Sequence, residues 1–77
     1  MSKLNLDAAM TQLRGEALGH LGAIDLLLNK PMAISEHTQF VEEIKSHAKS
    51  LSEAEEALAV LQRYFGKVAE EESPEDV

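Results

Sequence analysis

The sequence predicts an all-α protein, an antiparallel helical hairpin that assembles into a helical bundle. Two segments carry apolar residues at alternating spacings of four and three, the pattern of a helix that packs along one line of contact. A proline lies between the segments. We call these positions the seam; they are Leu6, Met10, Leu13, Ala17, His20, Ile24 and Leu27 in the first segment, and Phe40, Ile44, His47, Leu51, Ala54, Leu58, Leu61, Phe65 and Val68 in the second.

The two seams match layer by layer when the chain folds back on itself. Small residues then face large ones, as Ala17 with Leu51 and Leu13 with Ala54. Histidine faces histidine in one layer. The complete set of predicted layers is Leu27 with Phe40, Ile24 with Ile44, His20 with His47, Ala17 with Leu51, Leu13 with Ala54, Met10 with Leu58, and Leu6 with Leu61.

The first helix is predicted over about residues 5–29. Asn5 is a suitable N-cap, and Asp7 in the first turn complements the helix dipole. Pro31 cannot continue a helix, so the helix should end near Asn29.

The second helix is predicted over about residues 35–69, after a short, partly apolar corner. Ser35 is a good N-cap, Glu36 lies in the first turn, and Ile34 is available as a hydrophobic staple. The segment Ser52-Glu53-Ala54-Glu55 reads as a second capping box, and it makes a three-helix bundle with a break near Ser52 the alternative. Because the seam pattern passes through this segment without a slip, one continuous helix is preferred.

A chain of 77 residues buries too little surface to be comfortably stable alone. It has no cysteine, so disulfides cannot contribute. A homodimer or higher homo-oligomer is the remaining remedy. Further apolar residues flank the seams, and two hairpins in a four-helix bundle would cover them; they are Leu18, Leu21 and Leu28 in the first helix, and Val41 and Ala48 in the second.

The net charge of −7 is concentrated at the carboxyl end. Residues 70–77 hold five acids, whereas residues 1–69, the hairpin domain, hold nine acids against all seven Lys and Arg. We expect residues 70–77 to be an acidic disordered tail. A nearly neutral body lacks the basic face that nucleic acid or an anionic membrane would require. With no signal peptide and no long apolar run, a cytoplasmic location is expected.

Two features predict a protein-binding surface. Gly15, Gly19 and Gly22 lie on the side of the first helix away from the seam, beside Leu18. Each glycine costs about 1 kcal/mol of helix stability relative to alanine, so close approach of another helix is a natural compensation. The second feature is the difference in length between the helices. The second helix is longer than the first, so Tyr64, Phe65 and Val68 should extend beyond the end of the first helix and remain exposed.

His20 and His47 each follow a glutamate by four residues, Glu16 and Glu43 respectively. This possible pH-sensitive or ligand-binding cluster has the wrong spacing for a di-iron carboxylate bundle, which uses Glu-x-x-His. We therefore expect no metal and no cofactor at this cluster. We expect the two histidines to form hydrogen bonds with glutamate or water. Adjacent imidazoles would oppose being charged together, so acid should loosen the seam.

The sequence contains no nucleophile motif, so an enzyme is not expected. The function predicted is a non-enzymatic protein–protein interaction module, such as a small adaptor, co-chaperone or inhibitor, that also self-associates. The alternative is a small-ligand or metal-binding bundle in which Glu16, His20, Glu43 and His47, with Arg14, line a shared cavity.

Overall fold

The computed structural model describes residues 2–29 and 37–71, and these form two α-helices. Helix α1 spans Ser2–Leu28 and helix α2 spans His37–Glu71. The two helices pack against each other along their length as an antiparallel hairpin. The predicted all-α class and antiparallel hairpin are confirmed.

The predicted seam is the line along which the helices pack. Met10, Phe40 and Ala54 are buried, and no side chain in the described residues is wholly shielded from solvent. The other seam residues as far as Leu61 are half-buried; they are Leu6, Leu13, Ala17, His20, Ile24, Leu27, Ile44, His47, Leu51, Leu58 and Leu61. The hairpin thus has a core only one side chain thick.

Helix α1 begins three residues earlier than predicted, so the assignment of Asn5 as its N-cap is wrong. The extra turn continues the seam, because Lys3 lies three residues before Leu6 and its side chain is only 16% exposed. Its ammonium group forms a salt bridge with Asp7, four residues later. The aliphatic stem of a lysine is able to cover apolar surface while its charged end reaches solvent, which explains how position 3 extends the seam.

The predicted end of α1 is confirmed. The helix ends at Leu28, and the backbone N–H of Asn29 donates to the carbonyl oxygen of Asp25 at 3.2 Å. The Asn29 side-chain amide donates to the same carbonyl at 2.8 Å and to the Asp25 carboxylate at 3.3 Å. These bonds satisfy a carbonyl group that the end of a helix otherwise leaves to water.

Helix α2 is continuous through Ser52, so the alternative of a three-helix bundle is wrong. Ala54 is buried against α1, and a helix break at Ser52 would have rotated it out of the seam. The helix also includes Glu70 and Glu71, which the sequence placed in the acidic tail. The rest of that tail, like the proposed cap Ser35 and staple Ile34, lies outside the described residues.

The hairpin is elongated. Its Cα radius of gyration is 17.0 Å, compared with about 11.5 Å for a compact domain of this length. It exposes 5883 Å², compared with about 4,650 Å² for a compact monomer of the same mass. Neither described helix has a long enough apolar stretch to cross a lipid bilayer.

A proline at position 53 tests the continuity of α2. In a continuous helix, Glu53→Pro removes a backbone hydrogen bond and causes a steric clash, so we expect it to lower the free energy of unfolding by about 3 kcal/mol. If Ser52 capped a separate helix, proline would occupy a first helical position, where it is well tolerated. Urea denaturation of Glu53→Pro, with Glu53→Ala as the control, separates the two cases; equal stability of the two variants would contradict the continuous helix.

Candidate functional site

The two seam histidines contact each other directly. The Nδ1 atoms of His20 and His47 are 2.9 Å apart, a hydrogen-bond distance, and the ring centroids are separated by 5.1 Å. The rings are tilted by 47°, and both side chains are half-buried. The structure therefore places in one layer the two histidines that the sequence paired.

A hydrogen bond between two Nδ1 atoms fixes how the pair shares its protons. One Nδ1 must carry the proton and donate it, and the other must be unprotonated and accept it. The two neutral rings are consequently different tautomers. A single added proton on the outer nitrogen of the donor ring preserves the bond, but a proton on both rings places two N–H groups against each other.

The two glutamates of the predicted cluster are not part of this contact. Glu43 is half-buried and accepts a hydrogen bond of 3.3 Å from the side-chain amide of Gln39, while Glu16 is exposed. Within residues 2–29 and 37–71, no three His, Asp or Glu side chains come together as ligands for one metal ion. The histidines bond to each other instead of to glutamate, because the antiparallel layer brings their inner nitrogens together.

The three glycines of α1 face open space. A Cβ atom added at Gly15, Gly19 or Gly22 would meet no atom within 4 Å, whereas one added at Gly66 would lie 2.6 Å from the Gln62 amide nitrogen. Leu18, which lies among the α1 glycines, is 68% exposed. This side of α1 is therefore an uncovered surface of the hairpin.

The predicted flanking residues are also exposed, and they lie on one side of the molecule. Leu21 and Leu28 follow α1 seam positions by one residue, and Val41 follows the α2 seam residue Phe40 by one. In an antiparallel pair, equivalent flanks of the two helices fall on the same side, because reversing one helix exchanges its flanks. These three side chains thus form an apolar strip along the half of the hairpin nearest the connection.

The far end of the hairpin presents two aromatic rings. Tyr64 is 67% exposed and Phe65 is 50% exposed, and the side chain of Val68 lies outside the description. The reason predicted for this exposure needs correction, since α1 starts at Ser2 and the next layer places Lys3 level with Phe65. Phe65 lies on the seam but stays half exposed, and Tyr64 lies one residue before it, beside the seam.

Basic side chains accompany these aromatic rings. The guanidinium carbon of Arg63 lies 5.4 Å from the centre of the Tyr64 ring, within the range of a cation–π interaction. Lys67 is exposed one turn beyond Arg63, and Lys3, whose ammonium group pairs with Asp7, lies in the layer of Phe65. These basic residues were not predicted to belong to the surface, although the spacing of four between Arg63 and Lys67 was available as a signal. We call Lys3, Arg63, Tyr64, Phe65 and Lys67 the aromatic end.

No protein-family model matches the chain, and no curated protein or solved structure shows a significant match to it.

The histidine pair should show strong coupling between its two members. His20→Leu or His47→Leu leaves the remaining imidazole without its partner, and we expect each to cost about 1–2 kcal/mol of unfolding free energy. The double variant replaces both polar groups by apolar ones, so its loss should be smaller than the sum by about 1 kcal/mol. Urea denaturation of the four proteins measures the coupling; additive losses would contradict the hydrogen bond.

Proposed function

We propose that the chain is a non-enzymatic protein–protein interaction module that self-associates and binds a protein partner, acting in the cytoplasm as a small adaptor, co-chaperone or inhibitor. The observation that carries the proposal is the amount of apolar side chain that the hairpin leaves in water. The exposed large apolar residues are Leu4, Leu18, Leu21, Leu26, Leu28, Val41, Val60, Tyr64 and Phe65. They outnumber the three buried apolar residues of the described chain.

The stability of so thin a core supports this proposal. Burying apolar surface contributes about 25 cal/mol per Å², and that contribution must offset the entropy lost when each residue is ordered. A single seam in which three residues are buried gives little margin. An associating protein would supply the missing burial, and the exposed leucines are the surface on which it would do so.

The aromatic end supports a particular kind of partner. Exposed aromatic and arginine side chains are the residue types that contribute most to binding at protein interfaces. Arg63 lies against the Tyr64 ring, and Lys67 is exposed one turn further along α2, so two positive charges accompany the aromatic rings. An amphipathic helix with an apolar stripe bordered by acidic residues would match both features.

The ligand-binding alternative has weaker support. His20 and His47 approach each other closely, but structural and catalytic metal sites hold three or four protein ligands, and no third His, Asp or Glu joins the pair within the described residues. The exposed apolar surface, by contrast, has no use in such a site. The interaction module is the function that the described geometry favours.

Site-specific photo-cross-linking tests the partner surface. We would place a photoreactive phenylalanine analogue at position 64 in the full chain, expressed in its native cells, with the same analogue at Lys49 as the control. Lys49 is exposed on the outer side of α2, away from the aromatic end. We expect one adduct of defined mass with another protein at position 64 and none at position 49.

A second variant makes this result specific. Adding Phe65→Ala to the position 64 protein removes a neighbouring apolar contact, and we expect the adduct yield to fall by about tenfold, the effect of roughly 1.4 kcal/mol. Arg63→Glu should also reduce the yield, because it reverses the charge beside the ring. Identical adducts at positions 64 and 49 would contradict the aromatic end as the binding surface.

A further inference from the structure

The side of α1 that faces away from α2 carries a self-complementary pattern. Leu18 and the three glycines occupy positions i, i+3, i+4 and i+7, which form a diamond on a helix surface. A diamond of this kind is the hole into which a facing helix inserts one side chain. Three of its four corners are Gly15, Gly19 and Gly22, and the space above each is open.

Leu18 itself has the size and exposure of the inserted side chain. If a second α1 packs antiparallel across this face, with a two-fold axis near Leu18 and Gly19, the partner's Leu18 enters this hole. By symmetry, Leu18 of the first copy enters the same hole on the second copy. Leu21 and Leu26, which are 52% and 70% exposed, then border the contact on either side.

The charges on this face agree with the same arrangement. Arg14 and Asp25 lie along the same edge of this face, Arg14 before Leu18 in the sequence and Asp25 after it. Both side chains are exposed. The two-fold axis carries Arg14 of each copy to the edge where Asp25 of the other copy lies. Two equivalent ion pairs result, and no like charges are brought opposite each other along this edge.

The total exposed area of the chain leaves room for an interface of standard size. The chain exposes roughly 1,200 Å² more than a compact monomer of its mass, whereas a standard interface buries about 800 Å² on each partner. Covering the outer face of α1 would shield Leu18 and Leu26, which are 68% and 70% exposed, without disturbing the seam.

We propose that a second copy of this chain docks on this face, with α1 antiparallel to α1, Leu18 in the glycine hole and Arg14 paired with Asp25 across the two-fold axis. The inference rests on the self-association in the proposed function and specifies its surface. It leaves the aromatic end free for a different protein. The molecule would then be a four-helix assembly with the two α1 helices at its centre.

The first test fills the hole. Gly22→Leu should favour the helix, because leucine has the higher helix propensity, so unfolding is not expected to account for a loss of association. We expect light scattering to show a dimer for the wild type and a monomer for Gly22→Leu, with equal helicity by circular dichroism. Ala59→Leu, on the exposed side of α2, is the matched control and should remain dimeric.

The second test uses the absence of cysteine from the sequence. A single cysteine at Leu18 would lie close to the two-fold axis and should form an intermolecular disulfide on mild oxidation, whereas Lys49→Cys should remain reduced. The third test is a charge exchange. Arg14→Asp and Asp25→Arg should each weaken the dimer by about tenfold, and the protein with both changes should recover most of the loss.

The outcomes separate this inference from the function on which it rests. A monomeric wild type at the highest concentration reached would overturn both the self-association and the α1 contact. A wild-type dimer that survives Gly22→Leu, with no disulfide at position 18, would overturn the α1 contact alone. The disulfide at position 18, the monomeric Gly22→Leu protein and the rescued charge exchange support it.

Discussion

A hairpin of two helices has a single line of contact, and the other properties of this chain depend on how little that line buries. Each helix can direct only one stripe of side chains at the other, so the core is one side chain thick. Met10, Phe40 and Ala54 are its buried members. Stability must therefore come from many half-buried layers in series, and each defect in the series is costly because no second layer of packing compensates for it.

The histidine layer is the clearest such defect. A polar pair in the middle of a thin apolar seam is tolerated because each imidazole satisfies the other, through one hydrogen bond between inner nitrogens. It also fixes the register, since a slip of either helix would leave two half-buried rings unpaired. A pair of leucines in this layer would hold the hairpin together without selecting one register. In other coiled coils, too, a polar residue at a seam position selects the register.

The outer surfaces follow from the same limitation. Three glycines in α1 weaken a helix that has little stability to lose, and the leucines beside them remain in water. Both features are costs for an isolated hairpin, and both become useful when another helix approaches closely. The aromatic end differs in character, because Arg63 and Lys67 give it a charge that the glycine face lacks.

The sequence by itself determined the two helices, their antiparallel order and the pairing of His20 with His47, because a spacing of four and three fixes which side of each helix is apolar. It also determined that α2 continues through Ser52, since a break would have shifted Ala54 out of phase. Only the tertiary structure decided where α1 begins and how far Tyr64 and Phe65 are covered. Lys3 joins the seam through its aliphatic stem and its salt bridge to Asp7. A search for apolar residues at seam spacing does not include lysine, so the sequence pattern did not predict this. The bond between the two Nδ1 atoms likewise depends on the distance and tilt of the packed helices. The spacing of residues along one helix does not determine that distance or tilt.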